Sequence, residues 1–528
     1  MRFLPLGGLG EVGMNCLAIC AGRDAILVDA GVTFDDRQWG VDVYRPDFGA
    51  LHTLGLHVHG LVLTHGHEDH IGAVPYFLRE WDVPVCGPRY ALALLDRRRN
   101  EHDVLGSADL REVFPRQPFR LGPFEIEPIR VTHSIADATA LAVRSPDALA
   151  LHTGDFKFDD DPMDGETFDV ERIAELGREG IDVLLSDSTN ADVAGTSRGE
   201  RSVYAPLLAH ISEATGAVFV GLFASNVHRL KVLGKIAEQT GRKLILAGRS
   251  MGMHANVARD QRMLSWPSGL VVSPDQASAV PRDRWLVLAT GSQGEPASAF
   301  SRIADGSHPH LAVMPGDTVI FSSRVIPGNE RIVAERVDEF LRRGAHVVTG
   351  RQDRAIHVSG HACIDEQTRM IELAGPRSFV PIHGTLALMH AHARIARAKG
   401  VAETVVTENG MAVGYEGGKL RAAESFDSGR VAVAYGRDIP EDVLYEREEL
   451  ALRGVISVSF SNDSLRVDML GVSAGLRGDE LCHALRQEIA RAYQAGDATT
   501  EDAIRLLCRR IAQKQLGYRP EVLVHLSR

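Results

Sequence analysis

Five β-branched, apolar runs in the first part of the chain stop at a histidine or an aspartate: AILVD (Asp29), GLVLTH (His65), IEPIRVTH (His133), ALALHTGD (Asp155) and VLLSD (Asp187). Short apolar runs bounded by polar turns predict buried strands, which commits the chain to a sheet whose strand ends carry a site. Taken singly, each terminal residue has an ordinary explanation, because Asp and His at strand ends commonly cap turns. The second run leaves little room for that explanation. It continues as HGHEDH, with three histidines and two acidic side chains in the six positions 65 to 70, and then as IGAVPYFLREW, a predicted helix.

His65 and His67, two apart on a tight loop, can face one cation while Asp69 and His70 face a second. Imidazole and carboxylate without thiolate suit zinc, manganese or iron, with zinc first. A pair of cations needs more donors, and His133, Asp155 and His383, the last closing SFVPIH, each stand where an apolar run stops. A carboxylate can bridge two cations through its two oxygens, which suits Asp155. The expected set is His65, His67 and His133 for one ion, Asp69, His70 and His383 for the other, and Asp155 between them. The nearby His52, His57 and His59 are assigned to the surface or the ordinary core.

At 528 residues the chain is too long for one core. Texture predicts a first domain over 1–205 that resumes over 351–425, an inserted unit of alternating strands and helices over 206–350, and a small α+β module over 430–528. Hydrophobic residues at 44% and charged residues at 24% exclude a disordered or fibrous chain. No apolar run of about 18 residues could span a bilayer, and MRFLPLGGLGEVGMN lacks the basic flank and apolar stretch of a signal peptide. A cytoplasmic protein without membrane association is expected, with its six scattered cysteines reduced. The net charge of −12 argues against a nonspecific nucleic-acid coat but not against a local basic groove.

DAG at 29–31, THGHEDH at 64–70, His133 and TGD at 153–155 together resemble the metallo-β-lactamase superfamily, an αββα sandwich with its metal site at the sheet edge. LLSDST with Asp187, HVSGH at 357–361 with His361, and PIHG at 381–384 with His383 are similar to the three extra motifs of the β-CASP nucleases. The middle unit then corresponds to their inserted β-CASP domain. GGLGEVGMN at 7–15, FASNVHR at 223–229, ATGSQGEP at 289–296, IPGNE at 326–330 and the terminal module resemble the bacterial ribonuclease J family, and the similarity covers nearly the whole chain. HACIDE, after HVSG, departs from the family pattern of a serine and a glutamine. The resemblance implies a zinc-dependent ribonuclease with two zinc ions per subunit, manganese or magnesium being alternatives. It further implies 5′-to-3′ exonuclease and endonuclease activity in mRNA decay and RNA maturation, including rRNA processing, and a homodimer or homotetramer held by the terminal module. Two other functions remain open: a catalytically silent RNA-binding scaffold, and a small-molecule metallohydrolase, which would not need Asp187, His361 or the insertion.

Within that resemblance, Asp29 and Asp187 are expected to orient ligand histidines. His361 is the candidate for contact with the scissile phosphate and for protonating the leaving oxygen. The segment His357, Val358, Ser359, Gly360 and His361 can cradle a phosphate: Ser359 offers a hydroxyl, Gly360 lets backbone N–H groups approach, and both histidines can carry charge. Ser225 and Asn226 are expected to face it across a cleft. A plain Ser-Gly turn is the alternative on sequence alone; the resemblance favours a pocket for RNA bearing a 5′-monophosphate.

Overall fold

A computed structural model describes all residues except 35–38, 327, 462–463, 474–477 and 527–528. Pro327 of IPGNE therefore lies outside the described residues.

Two large sheets face each other. One runs in the order Lys419–Ser425, Met411–Glu416, Arg2–Gly7, Cys16–Ala21, Asp24–Val28, His57–Val62, Val85–Gly87, Leu110–Glu112, and the other Glu403–Thr404, Ser378–Ile382, Val183–Asp187, Leu149–His152, Thr139–Arg144, Phe124–Arg130, Phe119–Leu121. Their inner faces make one core, in which Leu17, Ile19, Ile26 and Val62 meet Ile126, Leu141, Val143, Leu185 and Val380. Side chains alternate along a strand, so Ala140, Ala142, Leu184 and Phe379 point the other way, onto Ile173 and Leu176 of helix Val170–Glu179 and Met370 and Ile371 of helix Ile364–Ala374. This is the expected αββα sandwich.

Parallel pairing determines where the functional residues fall. Asp24–Val28 and His57–Val62 are parallel, as are Leu149–His152, Val183–Asp187 and Ser378–Ile382. Strands that run the same way deliver their C-terminal residues to the same edge, the usual ligand edge of such sheets. Asp29, His65, Asp155, Asp187 and His383 all follow or end these strands.

After Val183–Asp187 the chain leaves the second sheet and builds a six-stranded parallel sheet in the order Val271–Val272, Lys243–Ala247, Trp285–Ala289, Val218–Gly221, Thr318–Phe321, His346–Val348. Helices cover it, and its strands are continuous apolar runs such as WLVLA, as burial on both faces requires. The chain returns as Ser378–Ile382, hydrogen-bonded directly beside Val183–Asp187. Of the helix predicted over 71–81 the structure forms Val74–Glu80, while a separate short helix, Glu68–Ile71, begins within HGHEDH and ends at Gly72, where a Cβ would stand 2.6 Å from Glu68 O.

By its contacts the chain divides into two compact units, Met1–Thr33 with Arg45–Arg430, and Phe34–Tyr44 with Val431–Arg528. The second is therefore not the contiguous 430–528 module expected. Asp42 explains why: its N–H donates to Val433 O at 2.8 Å, and its Oδ2 accepts from Tyr435 N at 2.7 Å. In that unit a sheet of Ser464–Leu470, Val455–Ser461 and Glu521–Leu526 carries helices Gly478–Gln494 and Glu501–Leu516. The Leu481, Leu485 and Ile489 stripe packs into the unit's own core with Ile456, Val458 and Cys508. Among the described residues, no helix is long and apolar enough to cross a membrane.

Candidate metal centre and adjoining cleft

At the shared edge, Asp29 sits at φ 60° and turns its carboxylate back under the strand ends. Its Oδ1 accepts from Thr64 N and its Oδ2 from Thr64 Oγ1, each at 2.8 Å. Oδ2 also accepts from His70 Nδ1 at 2.8 Å, which leaves His70 Nε2 facing outward. Gly31 is required beside it: a Cβ there would stand 1.7 Å from Asp69 O.

His65 Nε2 and His133 Nε2 lie 3.0 and 3.2 Å from His67 Nδ1, and each is 3.6 Å from Asp155 Oδ2. On the other side, His70 Nε2 is 3.3 Å and His383 Nε2 3.6 Å from the same Asp155 Oδ2, with Asp69 Oδ2 at 3.7 and 3.5 Å from those two nitrogens. The structure thus gathers the seven expected residues into two groups, each with donor atoms within 4.8 Å of one another. One detail differs from expectation. Asp155 meets both groups through the single oxygen Oδ2, not through one oxygen each.

The donors fit cations. Thr64 Oγ1 gives its hydrogen to Asp29, so its contact with His65 Nδ1 at 3.0 Å is accepted from the ring, and His65 Nε2 carries a lone pair. His133 Nδ1 donates to Gly360 O at 2.7 Å, so its Nε2 carries one too. Two lone pairs and a carboxylate oxygen aimed at one point repel each other unless a positive charge stands among them. His383 Nε2 is buried without a hydrogen-bond partner, the condition of a ligand atom.

Burial keeps these rings neutral on the first side, pushing His65 and His133 well below the ordinary histidine range and His67 to about 4. On the second side burial acts the same way, but Asp155, Asp69 and nearby carboxylates outweigh it, raising His70 strongly and His383 to about 9. Against burial, His383 and His70 hold Asp155 well below the usual carboxylate range. The two groups thus form a compact charge-compensated cluster, of the kind that can exchange its protons for cations.

Asp187 Oδ2 accepts from His361 Nδ1 at 2.8 Å, and Asp187 Oδ1 accepts from Thr189 Oγ1 at 2.6 Å. Thr189 Oγ1 in turn accepts from His383 Nδ1 at 2.8 Å. Burial opposes charge on His361, but Asp187 prevails and raises its pKa. The His361 side chain is 22% exposed where the cation-facing residues His65 and His133 are fully enclosed. It is an imidazole whose charged form Asp187 favours, partly exposed beside the cluster.

The 357–361 segment departs from expectation in two respects. Gly360 is needed because its chain lies on His133, where a Cβ would stand 2.8 Å from His133 Cε1 and 2.7 Å from Ser134 Oγ. His357 does not carry charge: burial pushes it well below the ordinary range, and Val358 beside it is buried. Ser359 Oγ accepts from His361 N and Asn190 Nδ2 at 3.1 and 3.0 Å. Asn226 Oδ1 caps helix Val227–Thr240 by accepting from Arg229 N at 2.8 Å. Among the described residues, neither Ser225 nor Asn226 is hydrogen-bonded to 357–361. In HACIDE, Cys363 and Glu366 form the capping box of helix Ile364–Ala374, and Glu366 also holds Phe158 N and Ser197.

Sequence reasoning missed the two threonines. Thr64 links Asp29 to His65 and Thr189 links Asp187 to His383, so each aspartate orients a ring through a hydroxyl; the only signal was a threonine next to His65 in LTH and near Asp187 in DST. It also missed Asn15, whose Nδ2 lies 3.0 Å from His70 Nε2 and 3.3 Å from Asp69 Oδ2.

Three family descriptions match in chain order: the metallo-beta-lactamase superfamily over residues 9–179, "Ribonuclease J, beta-CASP domain" over 215–340, and "Zn-dependent metallo-hydrolase RNA specificity domain" over 351–407. Ribonuclease J of Synechocystis sp. is 40% identical across 87% of this chain and 72% of its own length. Ribonuclease J of Sinorhizobium meliloti is 33% identical across 100% of this chain and 97% of its own. Among solved structures, a protein of unknown function from Enterococcus faecalis aligns with a TM-score of 0.54 at 15% identity, covering 78% of this chain and 99% of that one, a likeness of fold alone. On identity and coverage of this extent, the chain belongs to the ribonuclease J family of metal-dependent ribonucleases.

Proposed function

We propose that the chain hydrolyses RNA phosphodiesters at a two-cation centre, as a 5′-to-3′ exonuclease with additional endonuclease activity. The observation that carries this reading is Asp155 Oδ2, which lies within 3.6 Å of ring nitrogens from both donor groups. His65, His67 and His133 would hold one ion, Asp69, His70 and His383 the other, and Asp155 both. Zinc fits the imidazole-rich set best, with manganese or magnesium as alternatives. A bound pair of divalent cations supplies Lewis-acid polarisation of the phosphate and a water of lowered pKa. The chain's residues do the rest. Asp29 with Thr64, and Asp187 with Thr189, hold the ligand rings in one tautomer and orientation. His361, partly exposed and with its charged form favoured by Asp187, gives its Nε2 proton to the leaving oxygen while Asp187 steadies its Nδ1.

Ser359, with the backbone of 357–361 and with Ser225 and Asn226 of the inserted unit, would form the pocket for a 5′-monophosphate. We assign 206–350 to closing over RNA and 430–528 to a homodimer or homotetramer, and place the activity in cytoplasmic mRNA decay and rRNA processing. The test is digestion of three RNAs identical except at the 5′ end, at one salt concentration because phosphate contacts are salt-sensitive. Mononucleotide release in the order monophosphate, hydroxyl, triphosphate supports the pocket, and equal rates reject it. The filled ligand set speaks against a silent scaffold.

A further inference from the structure

A pocket that selects a phosphate needs a positive charge, and the structure removes the expected one, because His357 is half-buried with its Nδ1 enclosed, and desolvation pushes it well below the ordinary histidine range. His361 is engaged by Asp187 at 2.8 Å. Another cation reaches this place from the six-stranded sheet. Arg324 lies three residues beyond strand Thr318–Phe321. Its backbone is anchored by Gln293, 4% exposed, whose Nε2 donates to Arg324 O at 2.9 Å and whose Oε1 accepts from Ile326 N at 2.8 Å.

The Arg324 side chain leads straight to Ser359. Its Nη1 donates to Asn190 Oδ1 at 2.6 Å, and Asn190, 1% exposed, donates from Nδ2 to both Ser359 Oγ and His361 O at 3.0 Å. Ser359 Oγ also accepts from His361 N. With both lone pairs engaged, the serine hydroxyl has only its hydrogen to offer, and that hydrogen suits an anion. Arg324 makes no other hydrogen bond and no carboxylate ion pair among the described residues. Arg198 also approaches the segment, but its Nη2 bonds the carbonyl oxygens of Arg354 and His357.

We propose that the Arg324 guanidinium is the group that reads the charge of the RNA 5′-phosphate, with Asn190 holding it in register with the Ser359 hydroxyl. This rests on the 5′-phosphate pocket proposed above. A terminal monophosphate presents three oxygens to the planar fork of an arginine, whereas a 5′-hydroxyl presents no charge.

The test measures kcat and KM of the metal-loaded, full-length protein on 5′-monophosphate and 5′-hydroxyl RNAs of one sequence, for the wild type, Arg324→Gln and Arg324→Lys. Equal metal content and melting temperature in all three exclude a folding defect. The expected result is that Arg324→Gln lowers the monophosphate-to-hydroxyl ratio of kcat/KM about ten- to hundredfold, mainly through KM, and that Arg324→Lys restores part of it. A wild-type preference that survives in Arg324→Gln overturns the role of Arg324 and leaves the pocket standing, and a loss equal in both variants assigns the preference to the guanidinium fork and overturns the reading of charge. A wild-type ratio of one overturns both.

Discussion

Replacing Thr189 by valine tests whether the aspartates act on the ligand rings through threonine hydroxyls. Valine keeps the shape and removes one oxygen. That oxygen donates to Asp187 Oδ1 at 2.6 Å and accepts from His383 Nδ1 at 2.8 Å. Asp187 keeps the backbone N–H at 189, 2.9 Å from Oδ1, and keeps His361. His383, 5% exposed, is left with no hydrogen bond at Nδ1, only the Asp187 Oδ1 charge 3.6 Å away. An unsatisfied buried donor costs about 1–3 kcal/mol, and loss of a group that orients a ligand typically lowers metal affinity about 10- to 100-fold. Titration of the metal-free protein with zinc against a competing chelator should show one ion weakened by that factor and the other bound as in the wild type. Thr64→Val, by contrast, touches His65 and, through Asp29, His70, and should weaken both. Unchanged binding of both ions in Thr189→Val, or equal loss of both, would refute the relay.

Gly360→Ala should displace His133, whose Cε1 lies 2.8 Å from the added carbon, and lower metal content as measured by elemental analysis; wild-type content would count against the packing argument. His392, fully buried with its pKa lowered by burial to about 3, stays neutral in the folded chain. Its folded pKa lies below the unfolded value of about 6.5, so the stability it contributes is complete above pH 6.5 and falls by about 1.4 kcal/mol per pH unit below it. His392→Phe should therefore remove about 2 kcal/mol of the difference in unfolding free energy between pH 7 and pH 5. Deleting residues 431–528 should reduce the sedimenting mass of the assembly while leaving metal content intact; an unchanged oligomer would exclude that unit from assembly.

The candidate ligands were legible because a strand announces itself by an apolar run and a site residue by the polar side chain that ends it: LVLTH, IRVTH and FVPIH each pair the two signals. Parallel pairing within each sheet, with the two sheets packed face to face, then does what linear sequence cannot display, carrying ends as distant as Asp29 and His383 to one place. What stayed hidden depends on tertiary environment. Thr64 and Thr189 are ordinary strand-end residues until a carboxylate and an imidazole flank them. His357 reads as a cation in the sequence, but its half-buried ring, with Nδ1 enclosed, is held neutral by desolvation. Gly360 gave its type away but not its neighbour, His133. The Phe34–Tyr44 segment joins the terminal unit through Asp42, an aspartate with no local pattern to mark it. Arg324 lay in an exposed stretch, and only the chain of bonds through Asn190 gives it a role.

RNA cleavage by the metal-free protein tests the central claim most directly. The purified chain is stripped with a chelator, dialysed, assayed for residual metal, and incubated with 5′-labelled RNA before and after zinc or manganese is returned. The expected result is no cleavage without metal, recovery as about two ions per chain are bound, and no recovery for Asp155→Ala, which removes the oxygen both groups share. Full cleavage by the metal-free protein would contradict it.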